Sequence, residues 1–76
     1  MKAILYSKYN CPNCDTAKTL LNSHNVAIEE RKIGDGYTKE ELLEVVPHAK
    51  SVPQVFINDS YVGGLPDLKK YLAGNS

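Results

Sequence analysis

Two cysteines, the only two in the chain, stand three positions apart as Cys11-Pro12-Asn13-Cys14. A disulfide between them closes a loop too small to remove much entropy from the unfolded chain, so the pair does not hold the fold together. Small secreted scaffolds that depend on disulfides carry a framework of roughly four to eight cysteines. Redox chemistry or metal binding is what remains. A C-x-x-C by itself does not choose between them, because zinc half-sites share the spacing. The elements around the motif decide.

Lys2-Ala3-Ile4-Leu5-Tyr6 reads as a short buried strand, followed by a polar loop from Ser7 to Asn10. Pro12 suits the first position of a helix, where its missing N–H costs nothing. Cys14, Ala17 and Leu21 then recur at helical spacing beside Leu20, predicting a helix from Pro12 to His24 with Asn25 as its stop. Val26 to Ile33 alternates apolar and charged residues and reads as a second strand near a sheet edge. Gly34-Asp35-Gly36 is a turn. Thr38 and Glu41 have capping-box spacing for a second helix, with Leu42, Leu43, Val45 and Val46 as its buried face and Pro47 as its end. Val55-Phe56-Ile57 is a third strand, Asn58-Asp59 a hairpin turn, and Tyr61-Val62 opens a fourth. Gly63-Gly64 breaks it. Pro66 starts a last helix with Leu65, Leu68 and Leu72 on one face and Gly74 at its end.

The order β-α-β-α-β-β-α implies a parallel first pair with a right-handed crossover, then an antiparallel hairpin. The expected architecture is α/β: one domain over residues 1–76, a four-stranded mixed sheet flanked by three helices, the minimal thioredoxin-like fold. A C-x-x-C after the first strand of such a unit reads as a redox motif.

The physical reason lies at the helix start. The thiolate is the nucleophile, and a free cysteine with a pKa of about 8.5 is mostly protonated at neutral pH. Unpaired N–H groups and the macrodipole at a helix N-terminus favour the anion. Cys11 precedes the helix and is expected at its exposed tip as the attacking thiol. Cys14 shares the apolar stripe with Ala17 and Leu21, so it is expected to point inward and resolve the mixed disulfide. Lys8 adds a cation three residues before Cys11. Asp15 reads as a first-turn acid, and Tyr9 as an amphipathic residue that can line the groove beside Cys11.

Lysine plus arginine equals aspartate plus glutamate at nine each, so there is no broad basic field for nucleic acid and no polybasic membrane patch. No run approaches the roughly 18 apolar residues of a membrane span, and Met1 to Tyr6 is too quickly polar for a secretory signal. A cytoplasmic monomer is expected. Cys-x2-Cys-x9-His-x23-His, through His24 and His48, matches no zinc-finger spacing.

Three motifs resemble those of glutaredoxins, in order and across nearly the whole chain. Tyr6-Ser7-Lys8 leads into Cys11-Pro12-Asn13-Cys14, similar to the family's Cys-Pro-Tyr-Cys. Ser51-Val52-Pro53-Gln54-Val55-Phe56-Ile57 resembles its Thr-Val-Pro segment, and Gly63-Gly64-Leu65-Pro66-Asp67-Leu68 its Gly-Gly-x-x-Asp-Leu ending. The resemblance implies glutathione as co-substrate and no tightly bound cofactor; some members of the family carry an iron–sulfur cluster, against which Pro12 and the second cysteine stand here, and no resident metal is expected. It implies a cis Val52-Pro53 bond facing the cysteines, with the Val52 backbone pairing with glutathione like an added strand. Gly63, Gly64 and Asp67 would take the γ-glutamyl end, and Lys8, Lys50 and Gln54 the glycyl carboxylate. Disulfide-containing proteins, ribonucleotide reductase among them, are the implied clients. Two departures stand out: Asn13 replaces the family tyrosine, and Pro66 has no N–H to donate. Pro-Asp at that place resembles glutaredoxin-like hydrogen donors served by thioredoxin reductase, which is the alternative reading. A non-catalytic module that binds an iron–sulfur cluster or a protein is the third.

Overall fold

A computed structural model describes residues 1–74 of the chain. Its elements are β1 (Lys2–Lys8), α1 (Pro12–Ser23), β2 (Ala27–Ile33), α2 (Lys39–Val45), β3 (Gln54–Ile57), β4 (Ser60–Gly63) and α3 (Leu65–Gly74). The four strands form one sheet in the order β2-β1-β3-β4. β1 pairs in parallel with β2 and antiparallel with β3, and β3 pairs antiparallel with β4. β1 is thus an inner strand with both faces covered, which is why Ala3 to Tyr6 at its centre are apolar without a break.

The pleat sends alternate side chains to opposite faces. Ala3 and Leu5 of β1 join Val55 and Ile57 of β3 beneath Ala17 and Leu21 of α1 and Leu68 and Leu72 of α3, forming the larger core. Tyr6, with Ile4 and Phe56 half-buried beside it, faces the other way and packs under Leu42 of α2 and under Val46. The two layers are unequal, because α2 has only seven residues.

Local sequence chemistry sets the joints. Asn25 follows α1 at φ 59° and reverses the chain, and Asn58 and Asp59 turn the β3–β4 hairpin at φ 50° and 68°. These left-handed conformations suit Asn and Asp, whose short polar side chains bond locally. The Thr38 hydroxyl accepts from the Glu41 amide at 3.1 Å, and the Glu41 carboxylate accepts from the Thr38 amide at 3.0 Å, completing the expected capping box.

Two expectations are corrected. β1 runs on through Lys8, so the expected loop shrinks to residues 9–11. Leu42 of α2 and Val46, the residue that caps it, are four apart and both buried, whereas Val45 is turned away and is 49% exposed; Leu43 is half-buried. No helix among the described residues is long and apolar enough to cross a membrane.

Candidate active site

Asn10, at φ 55°, turns the chain from β1 into α1. Cys11 is the N-cap residue of α1, in extended conformation. The Cys14 amide donates to the Cys11 sulfur at 3.2 Å, and the Cys14 and Asp15 amides lie 3.1 and 3.2 Å from the Cys11 carbonyl oxygen. Pro12 opens the helix without an N–H that needs a partner. The two cysteines are joined in a disulfide, with Cα atoms 5.2 Å apart. A sulfur at a helix N-terminus therefore meets a backbone donor and the positive end of the helix dipole, an arrangement that stabilises a thiolate once the disulfide is opened.

Cys14 is buried, as its place on the apolar stripe predicted. Cys11 is not at an exposed tip: only 9% of its surface is accessible. The reason is Val52, whose carbonyl oxygen lies 3.9 Å from the Cys11 sulfur. The Val52-Pro53 peptide bond is cis, in keeping with the resemblance. The Val52 N–H has no partner among the described residues. Lys8, Lys50 and Ser51 line one groove together with Val52, against side chains of α2. On the other side of Pro53 lies Gly64: a Cβ built there would stand 3.5 Å from the Pro53 carbonyl oxygen, an ordinary contact. Gly63 differs. Its φ of +125° disfavours any side chain, and a Cβ there would meet the Asp67 carboxylate oxygen at 2.5 Å. Asp67, exposed in the first turn of α3, thus folds back over Gly63. Its charge adds to burial in raising the Tyr61 hydroxyl above the usual tyrosine range.

Two predicted site residues turn elsewhere. Gln54 is buried, with its amide donating to the Ser51 carbonyl at 2.9 Å and its side-chain oxygen accepting from the Tyr61 hydroxyl at 2.6 Å. Both polar atoms are engaged inside the protein, so Gln54 braces the Ser51–Pro53 wall instead of facing a ligand carboxylate. Tyr9 leans toward the end of β2 and the turn after it: the Lys32 ammonium lies 4.6 Å from its ring centroid, and a hydrogen bond to Asp35 raises its hydroxyl pKa. Pro12 and Asn13 are exposed at the helix start.

Sequence reading missed the polar string under α1. The Ser7 hydroxyl, wholly buried, donates to Glu30 at 2.6 Å. Lys18 bridges Glu30 and Asp15 at 3.3 and 3.6 Å, tying the first turn of α1 to the sheet. The Ser7 hydrogen bond, and after it Lys18, lower the Glu30 pKa against the opposing effect of burial. Only the i, i+3 pairing of Asp15 and Lys18 was visible in the sequence. No cluster of three or more His, Cys, Asp or Glu placed to hold a metal occurs among the described residues.

A family model described as Glutaredoxin matches residues 3–62. Glutaredoxin 1 of Rickettsia conorii is 41% identical over 73 residues, covering 88% of this chain and 71% of that protein. Among solved structures, glutaredoxin 1 from Francisella tularensis complexed with cacodylate superposes with a TM-score of 0.82 at 27% identity, over 97% of this chain and 94% of that one. A buckwheat glutaredoxin–glutathione complex shares the fold, with a TM-score of 0.79 at 22% identity, over 95% of this chain and 69% of the other. A family model spanning that much of the chain, together with a relative at 41% identity, shows that the chain belongs to the glutaredoxin family and is a thiol–disulfide oxidoreductase.

Proposed function

We propose that this protein is a glutathione-dependent oxidoreductase that reduces protein disulfides and glutathione mixed disulfides. The observation that carries the proposal is the Val52 N–H, unpartnered among the described residues, on a residue whose carbonyl stands beside the Cys11 sulfur. An extended tripeptide can add to it as a strand, which places its own sulfur against Cys11. In that pose the glycyl carboxylate meets Lys8 and Lys50, and the γ-glutamyl group meets Gly63, Gly64, the start of α3 and Asp67, whose carboxylate takes the ammonium. The buckwheat protein is solved with glutathione.

The Cys11 thiolate attacks one sulfur of a client disulfide, forms a mixed disulfide and expels the other client sulfur as a thiolate, which takes up a proton. Cys14 loses its proton and attacks the Cys11 sulfur. The second client thiol leaves, and Cys11–Cys14 is oxidised by the two electrons the client has gained. One glutathione thiolate then attacks Cys11 and frees Cys14, and a second attacks the bound glutathione sulfur and releases glutathione disulfide. Ribonucleotide reductase is a client proposed on family resemblance, in a cytoplasmic monomer. A second reading, reduction by thioredoxin reductase, is favoured by one observation: Pro66 stands in the first turn of α3 without an N–H for a carboxylate.

Nuclear magnetic resonance of Cys14→Ser protein, converted to its Cys11–glutathione mixed disulfide, tests the pose. Amide shifts at Val52, Gly64 and Asp67 support it. Shifts confined to residues 9–14 contradict it.

A further inference from the structure

The glycyl end of glutathione has no side chain, yet the groove beside Val52 has an apolar floor. Ile33, Leu43 and Val52, each half-buried, line a space of about 210 Å³. A cavity of about 150 Å³ is enough to hold benzene, so the groove has room for one leucine-sized or phenylalanine-sized side chain. Around it stand Lys8, Lys39 and Lys50, all exposed. No carboxylate lines the groove, and none of the three lysines is ion-paired among the described residues. An apolar floor inside a ring of free ammonium groups complements an apolar side chain with acidic neighbours.

We infer that this groove seats client polypeptides and selects those with an apolar residue two positions after the reactive cysteine and a carboxylate next to it. The inference rests on the proposed glutathione pose, which sets the direction of a client chain along Val52. Val52 connects the two features, since its carbonyl lies 3.9 Å from the Cys11 sulfur and the same residue lines the groove. An extended chain advances about 3.3 Å per residue, and residues two apart point to the same face. When the client cysteine faces Cys11, the second residue after it faces the groove floor.

The test uses two peptides, Cys-Gly-Leu-Asp and Cys-Gly-Ser-Lys, each joined through its cysteine to thionitrobenzoate. The protein is first reduced and freed of reductant; attack of its Cys11 thiolate on the peptide sulfur then forms the mixed disulfide and releases the coloured thiolate in a single turnover. Glutathione and cysteamine derivatives of the same chromophore are run beside them. The Leu-Asp peptide is expected to react about tenfold faster in its second-order rate constant, the scale of one partly buried leucine and one surface ion pair. Leu43→Gln should remove most of that preference and leave the rate with the glutathione derivative unchanged. Lys39→Gln, at an exposed position, should lower the preference about threefold. Equal rates for the two peptides on the unmodified protein, with the glutathione derivative still preferred over cysteamine, overturn this inference alone. Loss of the glutathione preference as well overturns the pose on which it stands.

Discussion

The Cys14 amide donates a hydrogen bond of 3.2 Å to the Cys11 sulfur, so the N-terminus of α1 is capped by the very atom that does the chemistry. One residue is both structural cap and nucleophile, and its partner in the disulfide supplies the donor. Cys11→Ser is expected to abolish turnover on every disulfide while leaving the helix capped by a hydroxyl. Cys14→Ser should still react with glutathione mixed disulfides and lose reduction of protein disulfides that require resolution. Activity assays on the two substrate types, with circular dichroism as the folding control, check this.

Gly63 and Gly64 are expected to respond differently to alanine. At Gly63 the Cβ meets the Asp67 carboxylate at 2.5 Å on a backbone of φ +125°, so G63A should cost about 1–3 kcal/mol of stability and displace Asp67. At Gly64 the Cβ fits against the Pro53 carbonyl at 3.5 Å, so G64A should stay within about 0.5 kcal/mol of the parent. If glutathione passes close to this backbone, G64A still raises KM for glutathione. Urea unfolding and steady-state kinetics separate the two effects.

Glu30 should make stability depend on pH in acid. Its pKa is lowered in the folded protein, first by the Ser7 hydroxyl and then by Lys18. A depressed carboxylate pKa contributes stability that is present above the unfolded value near 4.5 and is lost as pH falls through the folded value. A hydrogen bond to a charged group contributes about 1.5–3 kcal/mol, so Glu30→Gln should be destabilised by about that much at pH 7. The gap between variant and parent should narrow as pH falls below the unfolded value near 4.5. Denaturation midpoints across that range measure it.

Tyr61→Phe removes the 2.6 Å donor to the Gln54 side-chain oxygen and leaves a buried acceptor unpaired. A cost of about 1–3 kcal/mol is expected, measured by urea unfolding. Because Gln54 also holds the Ser51 carbonyl at 2.9 Å, KM for glutathione should rise in the same variant.

What was legible in the sequence was local. Thr38 and Glu41 announce a helix start three residues apart, Asn58 and Asp59 a tight turn, and Cys14, Ala17 and Leu21 a buried stripe, because each signal is completed within one or two turns of chain. The cis Val52-Pro53 bond has no local signal of its own and follows from family resemblance alone. Features that depend on tertiary contact were misread or missed. Cys11 is covered by a carbonyl 41 residues away. Gln54 is claimed by Tyr61 across the hairpin, and Tyr9 is drawn to Lys32 and Asp35 at the end of the neighbouring strand. Apolar character alone suggests the core for Val45, but a helix as short as α2 has only one face to bury.

The most direct test of the central claim follows NADPH consumption by the oxidised protein with two reducing systems, glutathione with glutathione reductase or thioredoxin reductase alone, and Cys11→Ser as control. Rapid turnover with glutathione and none with thioredoxin reductase is predicted, and it shows that Pro66 is accommodated in the groove. Turnover with thioredoxin reductase and none with glutathione contradicts the account, and with it the assignment of Asp67 and Gly64 to the γ-glutamyl end.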